Sequence, residues 1–133
     1  MGQKEKQELN AKMTTLYDRV GGDAFFVELV ERFYRLVEDD KVLRPLYPED
    51  LEPGKAHLAL FLMQFWGGPP LYSEKRGHPR LRQRHFPFSI GQSERDAWVC
   101  HMNSAIFSMQ LSVGEAALMT EYFENAATLM MNS

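Results

Sequence analysis

The chain has 133 residues, 44% of them hydrophobic and 25% charged, with a formal net charge of −3 and a single cysteine. A chain of this length forms one domain that buries roughly two-thirds of its unfolded surface. The balanced composition excludes general disorder, the lone Cys100 excludes a disulfide-built scaffold, and no apolar run approaches the roughly 20 residues that span a bilayer. The mildly acidic balance leaves the molecule without an electrostatic footprint for nucleic acid. One oddity survives: nine Phe, five Tyr and two Trp are many aromatics for so short a chain.

Residues 1–13 mix Lys4, Glu5, Lys6, Glu8 and Lys12 with few apolar residues and lack the hydrophobic heart of a secretion signal. Lys6 stands where N-myristoylation requires Ser or Thr. The segment reads as a polar leader, with Met13 a second candidate start, followed by one domain over 14–133 in a cytoplasmic protein.

From residue 14 the pattern is helical almost throughout. Thr15 and Asp18 resemble a capping box for a short helix bearing Leu16 and Val20, which Gly21-Gly22 stops. Asp23 is positioned to cap the next helix, in which Phe26, Leu29, Val30, Phe33 and Val37 recur at spacings of three and four, with Tyr34 on the same inward face. Asp39-Asp40 open a turn, and Pro45 and Pro48 interrupt helix on either side of Tyr47. Pro53-Gly54 precede a segment with Leu58, Phe61, Leu62 and Phe65 on one stripe, ended by Gly67-Gly68-Pro69-Pro70.

The stretch 71–92 reads as irregular, with one short helix near 79–86 that places Leu81 and His85 one turn apart. Two long helices close the pattern. Ser93 with Asp96 caps the first, with Trp98, Met102, Ala105, Ile106 and Met109 inward. Ser112 with Glu115 caps the second, with Leu118, Met119, Tyr122, Phe123, Ala126 and Met130 inward. No run alternates with period two for long enough to form a strand. The fold class is all-α.

Chemistry is sparse. Cys100 and His101 are neighbours in a helix and do not face each other. His57, His78, His85 and His101 lack the short paired spacings of a zinc site. The glycine pairs follow no strand and make no phosphate loop. Lys75, Arg76, Arg80, Arg82 and Arg84 form a basic run without an acidic residue, read either as a solvated loop or as the seat of an anionic ligand. His85 ends that run beside Phe86, Pro87 and Phe88. A neutral imidazole in an apolar setting with cations alongside suits a haem iron and its propionates, although a lone histidine there is more often structural. Tyr34, Tyr47 and Trp98 each carry a large apolar body and one donor that needs a partner when buried.

Several stretches in this order resemble the truncated haemoglobins, specifically the group II (O-type) branch, over about residues 14–131. They are Tyr17-Asp18-Arg19-Val20-Gly21-Gly22, Arg32-Phe33-Tyr34, Leu46-Tyr47-Pro48-Glu49-Asp50, Gln64-Phe65-Trp66-Gly67-Gly68-Pro69, Tyr72-Ser73-Glu74, Gly77-His78-Pro79-Arg80-Leu81-Arg82, Arg84-His85 and Glu94-Arg95-Asp96-Ala97-Trp98. The resemblance implies a globin-like two-over-two helical sandwich around haem b. In it His85 corresponds to the proximal iron ligand, and Arg84 and His57 to positions that meet propionates. Tyr34, Tyr47 and Trp98 correspond to the distal residues that contact a bound diatomic, and Leu58, Phe61, Leu62 and Leu81 to the apolar wall. Gly54 stands where many globins place a distal histidine and offers no side-chain donor.

The resemblance further implies binding of O2, NO, CO or peroxide. Tyr and Trp donors that slow ligand release favour redox or detoxification chemistry, of the NO dioxygenase or peroxidase kind, over bulk oxygen transport. Such chemistry draws electrons from a separate donor or reductase. Oxygen storage or delivery and ligand sensing are the alternatives, and a haem-free helical interaction module is the competing class. No nucleic acid or membrane partner is expected. Helical stripes do not separate core from interface, so a homodimer contact stays open.

Overall fold

The computed structural model describes residues 15–133, so the polar leader at 1–13 lies outside the described residues. Seven α-helices follow in order: α1 (Leu16–Val20), α2 (Asp23–Glu38), α3 (Glu52–Phe65), α4 (Leu71–Arg76), α5 (Leu81–His85), α6 (Gln92–Phe107) and α7 (Val113–Met130), with a 3-10 turn at Arg44–Leu46. Helix α2 packs on α3, α6 packs on α7, and α2 lies against α6, so two helix pairs sandwich one core. Among the described residues there is no strand, and no helix is long and apolar enough to cross a membrane.

The core is built on α2. Phe26, Leu29, Val30, Phe33, Tyr34 and Val37 are all buried, as their spacing predicts, and Phe25 joins them from a neighbouring position. Each large apolar side chain withdrawn from water contributes about 1.5–3 kcal/mol. Met102, Ala105 and Ile106 of α6 and Met119 and Phe123 of α7 close the core from the other layer.

Helix ends match the expected punctuation with three shifts. Thr15 does cap α1, its hydroxyl accepting from the Asp18 N–H at 3.1 Å, and Ser112 and Glu115 form the full reciprocal box at α7. Asp23, however, lies inside α2 rather than capping it, and its carboxylate accepts from the Tyr17 hydroxyl at 2.6 Å. Pro53-Gly54 do not precede α3 but occupy its first turn, where proline's missing N–H has no helical partner to lose. Helix α6 begins earlier than Ser93 and Asp96 suggest: Gly91 is its cap, and Glu94 reaches back to the Gly91 N–H at 2.9 Å.

Helix α4 is absent from the sequence reading, because six residues carry no measurable period. It is stapled to α3 by Gln64, whose amide donates to the Ser73 hydroxyl at 2.7 Å and accepts from the Ser73 N–H at 2.9 Å. The glycines after α3 permit a close crossing. A Cβ on Gly68 would stand 2.9 Å from the Met63 carbonyl and 2.8 Å from the Tyr17 ring, and the Tyr17 N–H donates to the Trp66 carbonyl at 3.0 Å.

Two residues assigned to inward stripes face outward. Phe65 is 48% exposed and Leu118 50% exposed, because the partner layer covers only part of each helix's circumference. Phe65 still lies against Tyr122, ring centroids 4.2 Å apart. Denaturant unfolding of Phe26→Ala, which empties a fully buried site, should show a loss of about 3–5 kcal/mol. Phe65→Ala should lose about 1–2 kcal/mol, the scale of a half-exposed aromatic contact.

Candidate functional site

Between the two helix pairs and α5 lies a cavity of about 340 Å3, within the range of small-molecule and cofactor sites. Its wall is almost wholly apolar: Leu58, Phe61 and Leu62 from α3, Leu81 from α5, and Tyr122, Phe123, Ala126 and Met130 from α7. The sequence pattern marks these α7 residues only as inward-facing. Their helical period marks an inward face but does not say whether protein or ligand lies opposite.

The polar groups converge from separate elements. Tyr34 comes from α2, Tyr47 from the segment after the 3-10 turn, Trp98 from α6 and His85 from the end of α5. The Tyr34 and Tyr47 rings meet edge-on at 5.6 Å, and Phe33 fixes both Tyr34 and Trp98, at 5.5 and 5.0 Å. Burial, and then the neighbouring Tyr47, push the Tyr34 hydroxyl far above its ordinary value. Burial pushes Tyr47 up to about 12, while the Trp98 indole N–H beside it pulls the other way. Both phenols therefore stay protonated donors at neutral pH.

Gly54 explains how the Tyr34 hydroxyl reaches the cavity. A Cβ at position 54 would stand 2.8 Å from that oxygen, too close for either group to stay. The position thus does more than lack a donor: it makes room for a donor supplied by α2.

His85 meets the same cavity from α5. Its Nδ1 is 2.5 Å from the Leu81 carbonyl. A carbonyl can only accept, so Nδ1 is the donor here and Nε2 is the ring nitrogen left to face a metal, the arrangement that orients a metal-binding imidazole. Among the described residues no group of three or more His, Cys, Asp or Glu side chains gathers to hold a bare metal ion. A metal at His85 must therefore bring most of its ligands with it, as haem iron does.

His57 and Arg84 line no part of the cavity and lie beyond it on a basic edge. Arg76 donates to His57 Nδ1, while Arg84 is held by the Pro79 and Arg76 carbonyls at 2.9 and 3.4 Å. Burial first, then Arg76, Arg84 and Lys75, hold the His57 imidazole below its usual range. Among the described residues none of these cations has a carboxylate at ion-pair distance. An apolar slot with one imidazole inside and uncompensated cations outside fits a flat apolar macrocycle that carries carboxylates at one margin.

A family profile, the bacterial-like globins, matches residues 15–132. The chain belongs to that family, among the group II truncated haemoglobins. The group 2 truncated hemoglobin YjbI of Bacillus subtilis (strain 168) is 42% identical over 85 residues, which span 64% of this chain and 64% of that protein, just under two thirds of its length. The hemoglobin of the thermophilic phototroph Chloroflexus aurantiacus superposes with a TM-score of 0.87 at 53% identity, covering 90% of this chain and 98% of the other. A truncated oxygen-avid haemoglobin from B. subtilis superposes at 0.85 with 35% identity, covering 90% of this chain and all of the other (100%). The expected two-over-two globin sandwich is the fold observed, and membership implies a haem-based ligand-binding protein.

A cluster of hydrogen bonds at Asp40 ties the start of the segment that leads to Tyr47 onto α6. Asp40 accepts from the Val42 and Leu43 N–H groups at 2.7 and 3.0 Å and lies 2.5 Å from His101 Nε2, which joins the 40–47 segment to α6 and hence to Trp98. The His101 contact first, then these backbone donors, hold the Asp40 carboxyl below its usual range. A carboxyl depressed in the folded state stabilises above its unfolded value, and the benefit disappears as pH falls through the folded value. Unfolding followed below about pH 4 should therefore show an acid-dependent loss that Asp40→Asn flattens. A stability cycle tests Gly54. Gly54→Ala in the parent should gain little or lose about 1–3 kcal/mol from overpacking. With Tyr34→Phe the same change should stabilise by up to about 1 kcal/mol, the helix preference of alanine.

Proposed function

We propose that this globin binds haem b through His85 Nε2 and holds O2 or another diatomic under hydrogen bonds from Tyr34, Tyr47 and Trp98. The observation that carries the reading is the placement of those three donors, from three separate elements, around one apolar cavity that also receives His85. When bound, haem supplies reversible coordination of a diatomic and one-electron redox chemistry. The chain does the rest. His85, with its proton held on Nδ1 by the Leu81 carbonyl, presents a lone pair in a fixed orientation. Leu58, Phe61, Leu62 and Leu81 exclude water from the faces of the macrocycle. His57, Arg76 and Arg84 meet its carboxylates at the basic edge.

The two phenols and the indole are pre-placed donors in a low-dielectric site, so they favour a ligand that accumulates negative charge and slow its escape. The oxygen-avid character of the B. subtilis relative supports the same direction. Slow release suits redox or detoxification chemistry on O2, NO or peroxide in the cytoplasm, with electrons from a separate donor, better than bulk oxygen delivery.

Absorption of protein expressed with haem supplied tests the assignment. The Soret band should be lost in His85→Ala and kept in His57→Ala and His78→Ala; a colourless parent protein would end the haem reading. Trp98→Phe should speed O2 dissociation by roughly tenfold or more, the scale of one hydrogen bond to a charged acceptor. Turnover of NO or peroxide with a reductant then separates an enzyme from a carrier.

A further inference from the structure

The element that carries His85 is short and has little apolar anchorage of its own. Helix α5 has five residues, none buried and none capping its start, and it begins from Arg80 in the left-handed region at φ 45°, ψ 47°. So short a helix does not hold its shape by propensity. What fixes it is polar and comes from the residues after α7. The Asn132 amide donates to the His85 carbonyl at 3.3 Å and the Phe88 carbonyl at 2.8 Å, while its oxygen accepts from the Ile90 N–H at 2.9 Å. The backbone N–H groups of Asn132 and Ser133 both donate to the Ile90 carbonyl, at 2.9 and 3.2 Å. Arg82 adds a bond to the Leu129 carbonyl at 3.3 Å.

A carboxamide is the side chain this pattern requires, because two carbonyls and one N–H must be met from a single planar group. Aspartate would keep the acceptor but set a carboxylate against two carbonyls. Leucine would keep the volume and lose all three bonds.

We propose that Asn132 is a positioning residue for the proximal histidine, its carboxamide clamping His85 and the 86–90 segment in the geometry that receives the iron of the cofactor. The proposal rests on His85 being the iron ligand. A segment ordered in advance loses less freedom when the cofactor binds, so the clamp governs how long haem is retained and how rigidly the imidazole is held.

Three measurements on Asn132→Asp and Asn132→Leu test it. Haem transfer to excess apomyoglobin should run about tenfold faster, the effect of losing one or two neutral hydrogen bonds. The iron–histidine stretching band of the ferrous protein should shift or broaden. Amide exchange in the haem-free protein should quicken across 81–90 while α2 and α6 keep parent rates. Ser133→Ala, which loses the hydroxyl contact to Ser89 and a long one of 3.4 Å to the Asn132 oxygen but keeps all three carboxamide bonds to the 85–90 segment, should stay near the parent throughout.

Arg32→Ala serves as the control for general destabilisation, since Arg32 ties α2 to the Ser108 carbonyl far from α5. It should leave the stretching band unmoved, and an equal shift there would reduce the Asn132 effect to global stability and overturn the clamp. Parent-like haem release, band and exchange in both Asn132 variants would overturn it as well. Retention of haem with an unchanged stretching band in His85→Ala would instead overturn the ligand assignment beneath it, an outcome the amide exchange distinguishes.

Discussion

A domain of 133 residues that keeps about 340 Å3 free of its own atoms must find its cohesion elsewhere, and that constraint organises this molecule. The compensation is visible in α2, where Phe26, Leu29, Val30, Phe33 and Val37 are fully or almost fully buried, and in Met102, Ile106 and Met119 from the opposite layer. An apolar occupant that restores contacts to Leu58, Phe61 and Phe123 stabilises the same fold that receives it.

The two sides of the cavity are built to different standards of rigidity. Tyr34 and Trp98 stand on helices of 16 residues each, locked by Phe33 against both rings. Donors fixed in this way do not need to reorganise when charge develops on a ligand. His85 stands on a five-residue helix without a buried side chain. Local opening concentrates where few apolar contacts are made, so the segment around His85 depends on its polar ties.

Much of the fold was legible because the long helices have strong periods and strong caps. The α2 stripe and the Ser112–Glu115 box appear as read. The errors fall where local signals compete. Ser93 and Asp96 satisfy the capping pattern, but the helix starts two residues earlier, at Gly91, whose N–H donates to the Glu94 carboxylate. Phe65 and Leu118 continue an apolar stripe that the opposite layer does not reach. Helix α4 is too short to show a period and exists because Gln64 holds Ser73. In the site, His85 stands out in the sequence as the end of a basic run and Tyr34, Tyr47 and Trp98 as aromatic donors, while the role of each is implied only by the resemblance. No local feature of the sequence separates the α7 cavity wall from core, or marks the long-range bonds of Asn132.

The sequence by itself determined an all-α domain, the inward faces of its long helices and, through the order of its motifs, its kinship with the truncated haemoglobins. Those properties are local or additive: periods, caps, glycine breaks and a string of short matches. Tertiary structure alone decided that a cavity remains between the layers, that the Tyr34 hydroxyl comes to lie where a Cβ on residue 54 would crowd it, and that Asn132 bonds to the carbonyl of His85 from 47 residues away. Each of these is a distance between residues remote in the chain, set only once the helices have packed.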